Sequence, residues 1–458
     1  VTAMSAQASD MSAWLLMGLP GSILAFGFGQ IWIGIGLAIG TALNWILVAR
    51  RLRCFSEAAK DSITLPQYLS NRFATKSLAL QIICAVIFLV CFTIYVASAF
   101  VSGATVFTTV FPSLSNQTAM LIFAAIMILY TFLGGFKAVC WTDFFQGLLM
   151  LVAVLAIPIM IVATEQLDTG LLSKVIVGND GTEYAFGSSL FTASWKDIAS
   201  GLAWGLGYFG MPHVLLRFMA INDSKKLKVS RRVATVWVVI SLAVAIFIGV
   251  VGLAMTKNNV IDPLADPETV IVVIANLLAK AGPLAAMVGG LIIAGILAST
   301  MSTADSQLLA ASSAVSENLF NQVFKIKTSE KTAMLIARIT VVVIAIVGIV
   351  IAWDPNSSVF QIVSFAWAGF GAAFGPVVLT ALFWKRTTKW GAFAGIFAGG
   401  AMVFIWKFLV RPLGGLFNIY ELLPAFIVAL AAIVVVSLLD KKPSQEIIDE
   451  FESVNAAE

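Results

Sequence analysis

Charge is scarce in this chain. Only 11% of its 458 residues are Asp, Glu, Lys or Arg, against 60% hydrophobic, and mean hydropathy is +0.98. A soluble domain of this length has nowhere to bury so much apolar surface. Histidine is scarcer still: His213 stands alone, which excludes a multi-histidine proton relay. The four cysteines, Cys54, Cys84, Cys91 and Cys140, show no paired spacing and lie in or beside apolar segments. Neither a disulfide framework nor a metal cluster is expected of them. No nucleophile–base constellation is recognisable, so an enzyme is not expected either. The expected surroundings are membrane lipid, with no nucleic-acid partner. No signal peptide is visible, and Val1 is not a Met, so upstream sequence is expected.

What is abundant is long apolar runs. A membrane span needs roughly 20 such residues. Twelve candidates are centred near 8–28, 31–49, 78–110, 119–137, 142–163, 198–220, 233–256, 283–314, 333–353, 359–384, 390–410 and 421–439. The stretch Thr269–Ala281 is too short to span and reads as a helix in an extramembrane loop. Lys and Arg orient the spans. They crowd every second connection: Arg50, Arg51, Arg53, Lys60, Arg72 and Lys76; then Lys137; then Arg217 to Arg232; then Lys325 to Lys331; then Lys385, Arg386 and Lys389. The intervening connections are poorer in basic residues or richer in acids. This alternation places both ends of the chain in the cytoplasm.

Two of the runs are interrupted. The first carries Ala-Ser-Asp-Met-Ser and then Gly18-Leu-Pro-Gly21, and the sixth carries Trp204-Gly-Leu-Gly-Tyr-Phe-Gly-Met-Pro212. Backbone is left unpaired at membrane depth only where it meets a cavity, a solute or an ion. The first span starts on the basic side and the sixth on the other. Spans 1–5 and 6–10 therefore read as inverted repeats, the arrangement that places a transporter's binding site between paired broken helices. The expected fold is an all-α polytopic membrane protein with an inverted five-plus-five repeat. Its units are residues 1–163, 164–384, two further helices over 385–440, and a tail over 441–458.

Polar groups inside the spans are the candidate functional residues. Asp10 sits at the first break beside Ser9 and Ser12. Carbonyls of an unwound turn, hydroxyls and a carboxylate suit a hard cation such as sodium. The competing reading of Asp10 is a helix N-cap. Ser299, Ser302, Thr303 and Ser306 recur at three- and four-residue spacing on one helix face, with Asp305 nearly on it. They read as an oxygen cage opposite the first break, or as small residues packing helices and bonding to their own carbonyls. Asp143 either caps the fifth span or reaches a second ion with Ser302, Asp305 and Ser306. Trp204 and Tyr208, four residues apart on the second break, suit the wall of a small organic solute. Tyr130 and Trp367 read either that way or as packing.

Four stretches carry a resemblance. They are Ala8-Ser-Asp-Met-Ser-Ala-Trp-Leu-Leu-Met-Gly-Leu-Pro-Gly21, Trp204-Gly-Leu-Gly-Tyr-Phe-Gly-Met-Pro-His213, Met301-Ser-Thr303 with Gln307-Leu-Leu, and Trp367-Ala-Gly-Phe-Gly-Ala-Ala-Phe-Gly-Pro-Val-Val378. In this order they resemble the sodium:solute symporter family over essentially the whole chain, and its proline carriers in particular. The resemblance implies import of L-proline coupled to sodium by alternating access. It implies a main sodium site from Ala8, Met11, Ser299, Ser302 and Thr303, with Asp10 supporting it. A second sodium site, present in some members, would fall at Asp143, Ser302, Asp305 and Ser306. Tyr130, Trp204, Tyr208 and Pro212 would shape the solute pocket. Family members carry one more helix before the first break. A channel would instead show a continuous polar pore, and a sensor an appended output domain.

Overall fold

A computed structural model describes residues 12–62, 64–74, 78–164, 167, 168, 170, 175–177, 183–185, 193–221, 227–313, 315 and 329–457. Ala8, Ser9, Asp10 and Met11 of the first break lie outside the described residues. So do the side chains of Lys137 and Cys140.

The chain is built from helices. A π-helical turn, Trp14–Gly18, runs into α1 (Leu19–Phe26). Then α2 (Ile31–Leu43) continues through a second π turn, Asn44–Val48, into α3 (Ala49–Ala58), and α4 (Leu65–Arg72) and α5 (Leu78–Val110) follow. Next comes α6 (Asn116–Thr164), then a short antiparallel pair, β1 (Val175–Val177) with β2 (Glu183–Ala185). The sixth run divides into α7 (Trp195–Ala203), a 3-10 segment Trp204–Phe209, and α8 (Pro212–Met219). After these stand α9 (Leu227–Lys257), α10 (Val270–Ala279) and α11 (Pro283–Ser313). The last part holds α12 (Glu330–Ile351), α13 (Val359–Phe383), α14 (Lys389–Ile405), α15 (Leu422–Leu439) and α16 (Gln445–Ala457).

Among the described residues nine helices are long and apolar enough to cross a membrane, and three shorter apolar ones accompany them. The exposed apolar residues show why. On α12, Ile339, Val343, Ile346 and Val350 are all more than half exposed and recur every three or four residues. Such a stripe is costly in water and neutral against lipid. The stretch expected to lie in a loop is α10, which is short.

The runs 119–137 and 142–163, expected as two spans, both fall within the helix α6. It cannot be straight. The Tyr130 hydroxyl bonds Thr142 Oγ1, whereas twelve residues of straight helix would hold those positions about 18 Å apart. The two side chains together reach across about 11 Å, so α6 bends sharply between them.

The basic side is a set of helix ends closed by arginine. Arg51 Nε donates to the Leu382 carbonyl (2.7 Å), Arg53 Nη1 to Met219 (2.9 Å), Arg72 Nε to Ala381 (3.3 Å) and Arg386 Nη2 to Asp440 (2.7 Å). The first three meet carbonyls orphaned in the last turns of α13 and α8, at the negative end of the dipole, and the fourth meets the carbonyl just past α15. The tail packs here as α16, with Phe451 and Val454 buried, Phe451 against Arg72, and Glu452 paired with Lys385 at 2.9 Å. On the opposite side Glu268 does the converse. Its carboxylate accepts from Ser358 Oγ (2.7 Å) and from the amides of Val359 and Phe360 (both 2.8 Å), at the positive end of α13.

Candidate functional site

The second break follows from two residue types. Pro212 has no N–H, so the Tyr208 carbonyl four residues earlier cannot receive its usual helical bond. Glycines at 205, 207 and 210 let neighbours approach the backbone. On one side stands α2: a Cβ on Gly40 would overlap Gly205, and one on Gly205 would overlap the Gly36 carbonyl. On the other stands α13: a Cβ on Gly207 would overlap the Trp367 indole, and one on Gly371 would lie 2.8 Å from Gly207. The 3-10 segment is thus clamped between two helices at close range. Its carbonyls are met by side chains from both. Trp367 Nε1 donates to Trp204 O (2.9 Å), and Asn44 Nδ2 donates to Tyr208 O (3.0 Å).

An aromatic cavity opens beside this segment. Trp14, Tyr95, Trp204, Tyr208 and Trp367 line it, together with Leu15, Leu37, Val238, Leu242 and Val363. Trp204 stacks on Trp14 (centroids 4.8 Å apart) and, on its other face, on Tyr420 (5.0 Å). Phe360 closes against Trp204 at 5.7 Å, and Tyr208 meets Trp367 edge-on at 5.1 Å. Ser12 Oγ reaches the Tyr95 hydroxyl (3.3 Å) and accepts from the Trp14 amide (3.1 Å). The space open to the centre of a water molecule is about 20 Å³, enough for one or two waters. The site is contracted; Trp14 and Leu15 of the first run and Trp204 and Tyr208 of the second break face it.

The hydroxyl stripe lies on α11, and Ser299, Ser302 and Thr303 are buried. The Ser302 and Thr303 hydroxyls both donate to the Ser299 carbonyl, each at 3.1 Å. Ser299 Oγ donates to Ile296 O at 2.7 Å. The helix-bonding reading of this stripe therefore holds for its protons. Both hydroxyls thereby meet the Ser299 carbonyl, which brings three expected ligand oxygens together. Ser102 ties the stripe to the first broken span, touching Thr300 Oγ1 and Met17 Sδ, both at 3.2 Å.

A second buried cluster lies further along α11. Asp143 and Asp305 are both fully buried. Ser306 Oγ donates to Asp143 Oδ2 (3.4 Å), and Arg217 Nη2 stands 3.7 Å from the same oxygen. Asp305 lies in the field of both Asp143 and Arg217. Neither Asp305 oxygen has a hydrogen bond of ordinary geometry among the described residues.

These positions redistribute the expected residues. Trp204 and Tyr208 line the cavity, while Pro212 does not line it and instead begins α8 beneath it. Tyr130 was expected at the solute pocket. Its hydroxyl bonds Thr142, and it lies in the field of Asp305 and Asp143, so it belongs with the second cluster. Asp143, Asp305 and Ser306 come together, whereas Ser302 turns to Ser299. Sequence reasoning passed over Trp14, Tyr95, Asn44, Arg217 and Tyr420 as site residues. Trp14 had a signal, lying four residues beyond Asp10 on a broken span; so did Asn44, a lone amide in an apolar run.

The model of the sodium:solute symporter family matches residues 1–399. This chain belongs to the sodium:solute symporter family. It is 44% identical over 467 residues to a sodium/proline symporter of Haemophilus influenzae, covering 100% of this chain and 90% of that protein. It is 40% identical to a high-affinity proline transporter of Bacillus subtilis, covering 98% and 92%. A sodium/proline symporter of Staphylococcus aureus is 42% identical, covering 97% and 86%. Among solved structures, a Na+-coupled sialic acid symporter in an outward-open, substrate-bound state aligns with a TM-score of 0.74 at 19% identity, covering 97% and 90%. A nucleobase-cation-symport-1 family transporter in a closed conformation aligns at 0.59 and 13%, covering 99% and 95%. These two share the fold. As a member of this symporter family the chain is a multi-pass integral membrane transporter rather than an enzyme, and sodium is its coupling ion.

Proposed function

We propose that this protein imports L-proline with sodium across a bacterial cytoplasmic membrane by alternating access. The observation that carries the reading is the full-length similarity to three bacterial proline carriers at 40–44% identity. The geometry agrees with it. Proline's ring is compact and apolar, which suits the walls formed by Trp14, Trp204 and Tyr208. Its carboxylate and ammonium would meet backbone groups freed at the two breaks. The cavity is too small for proline as it stands, so the rings have to part first, as access alternates.

In this reading sodium binds through Ala8, Met11, Ser299, Ser302 and Thr303, with Asp10 supplying charge nearby. Asp143, Asp305 and Ser306, with Ser302, form a second cation position, and Arg217 holds the Asp143 charge between visits. The repeats are residues 1–163 and 164–384, and the basic side faces the cytoplasm. Uptake of labelled proline into proteoliposomes tests this. A sodium gradient should drive accumulation, and unlabelled proline should outcompete sugars and sialic acid. Equal uptake with and without sodium at fixed pH would overturn the coupling. Preferred transport of a sugar would replace the substrate and leave the fold untouched.

A further inference from the structure

We propose that Asn44 is a positioning residue for the solute site: it supplies the hydrogen bond that Pro212 denies to the Tyr208 carbonyl, and so fixes the 3-10 segment on which Trp204 and Tyr208 stand. The inference rests on the proposed solute site at those two rings.

Its first ground is a deficit written into the chain. A helical carbonyl at 208 would receive the N–H of residue 212, and residue 212 is proline. The segment is buried, so water does not readily take that place, and an orphaned buried carbonyl is costly. The second ground is geometry. Asn44 Nδ2 lies 3.0 Å from Tyr208 O, across 164 residues of sequence, and Asn44 is only 1% exposed. The third is the approach that makes this reach possible. Gly36, Gly40 and Asn44 fall at four-residue intervals on one face of the α2 helix and its continuation. Gly36 admits the backbone of Gly201 and Leu202, and Gly40 that of Gly205, so closely that a Cβ on either would collide. Asn44 completes that face one turn further on, at the first residue of a π turn, where helical bonding is already relaxed. The Tyr208 ring is thereby held edge-on to Trp367, which grips the other end of the segment through Trp204 O.

The test is a four-member cycle measured in proteoliposomes: wild type, Asn44→Ala, Pro212→Ala and the double variant. Alanine at 44 removes the donor, and alanine at 212 restores a backbone N–H four residues from Tyr208. At saturating sodium, Asn44→Ala should raise the KM for proline about tenfold, while Vmax changes less than the KM does. The same substitution in the Pro212→Ala background should raise it less than threefold. Unchanged KM in Asn44→Ala, or an equal rise in both backgrounds, overturns the inference. If Asn44→Ala fails to insert, recovery of insertion in the double variant supports the inference, and continued failure overturns it. A wild-type protein that takes up no proline fails the substrate reading alone. The coupling between positions 44 and 212 is then read from the thermal unfolding midpoints of the same four proteins, where it has to appear as the same non-additivity.

Discussion

The Ser299 carbonyl accepts two hydroxyl protons on a helix that has no need of them. Hydroxyls that bond back to their own helix commonly serve packing. Here they also bring three oxygens together, those of Ser299, Ser302 and Thr303. The two roles separate by mutation. Changing Ser302 and Thr303 together to Ala keeps a small-residue surface and improves helix propensity, so insertion should be normal. Apparent sodium affinity in proline uptake should fall by at least about tenfold, because each lost oxygen leaves a cation less coordinated. A double variant with wild-type sodium dependence and normal insertion would reduce the stripe to packing. At this scale the hydroxyl spacing was legible in the sequence, since three- and four-residue intervals fix a helix face. The partner of Asp143 was not. Arg217 is 74 positions away, and its approach depends on where α8 ends relative to α6.

Among the elements, α13 is held at both ends by side chains from distant segments. Arg51 and Arg72 close its last carbonyls, and Glu268 closes its first amides. Glu268 stands outside the spans, just ahead of α10. Burial outweighs its three donors and pushes its carboxyl up to about 7 from the usual 4.5. The folded chain therefore binds this proton more readily than the unfolded chain does. The stabilisation is complete below about pH 4.5 and is lost as pH rises through about 7. Its full size is at most about 3 kcal/mol. The unfolding midpoint of the wild type should thus rise as pH falls from about 8 to about 5. Glu268→Gln should flatten that window and lower stability at acid pH, because an amide N–H would face the Val359 amide. Parallel pH profiles for the two proteins would assign the wild-type dependence to other groups. Nothing local in the chain identified Glu268 as this clasp, since its donors lie about 90 residues ahead.

For the whole molecule, the alternation of charge between connections becomes a division of labour between two faces. Arginines cap helix ends on one, and on the other the Glu268 carboxylate caps the start of α13. Trp14, Trp204 and Tyr420 form a continuous stack at the cavity, with Phe360 against Trp204. Single cysteines placed at Lys196 and at Lys385, in a background lacking the four native ones, should label from opposite sides of a sealed vesicle. A charged maleimide should reach Lys196→Cys from outside and Lys385→Cys only after the membrane is opened. Labelling of both from one side would overturn the orientation.

Most span positions, the break at Trp204–Phe209 and the gathering of basic residues at one set of helix ends were legible in the sequence alone. Each rests on a local rule: a bilayer demands long apolar runs, Pro and Gly interrupt helical bonding, and basic residues stay on one side. The bend in α6, the placing of Tyr130 beside the carboxylate cluster and away from the solute pocket, and the Asn44–Tyr208 bond were decided only in three dimensions. Which side chains meet across a bundle depends on how far each helix is rotated and how closely it approaches its neighbour. Here that is settled by pairs such as Gly40 with Gly205 and Gly207 with Trp367, whose members lie about 160 residues apart. A hydropathy pattern shows which face of a helix is apolar; it does not show which other helix that face will touch.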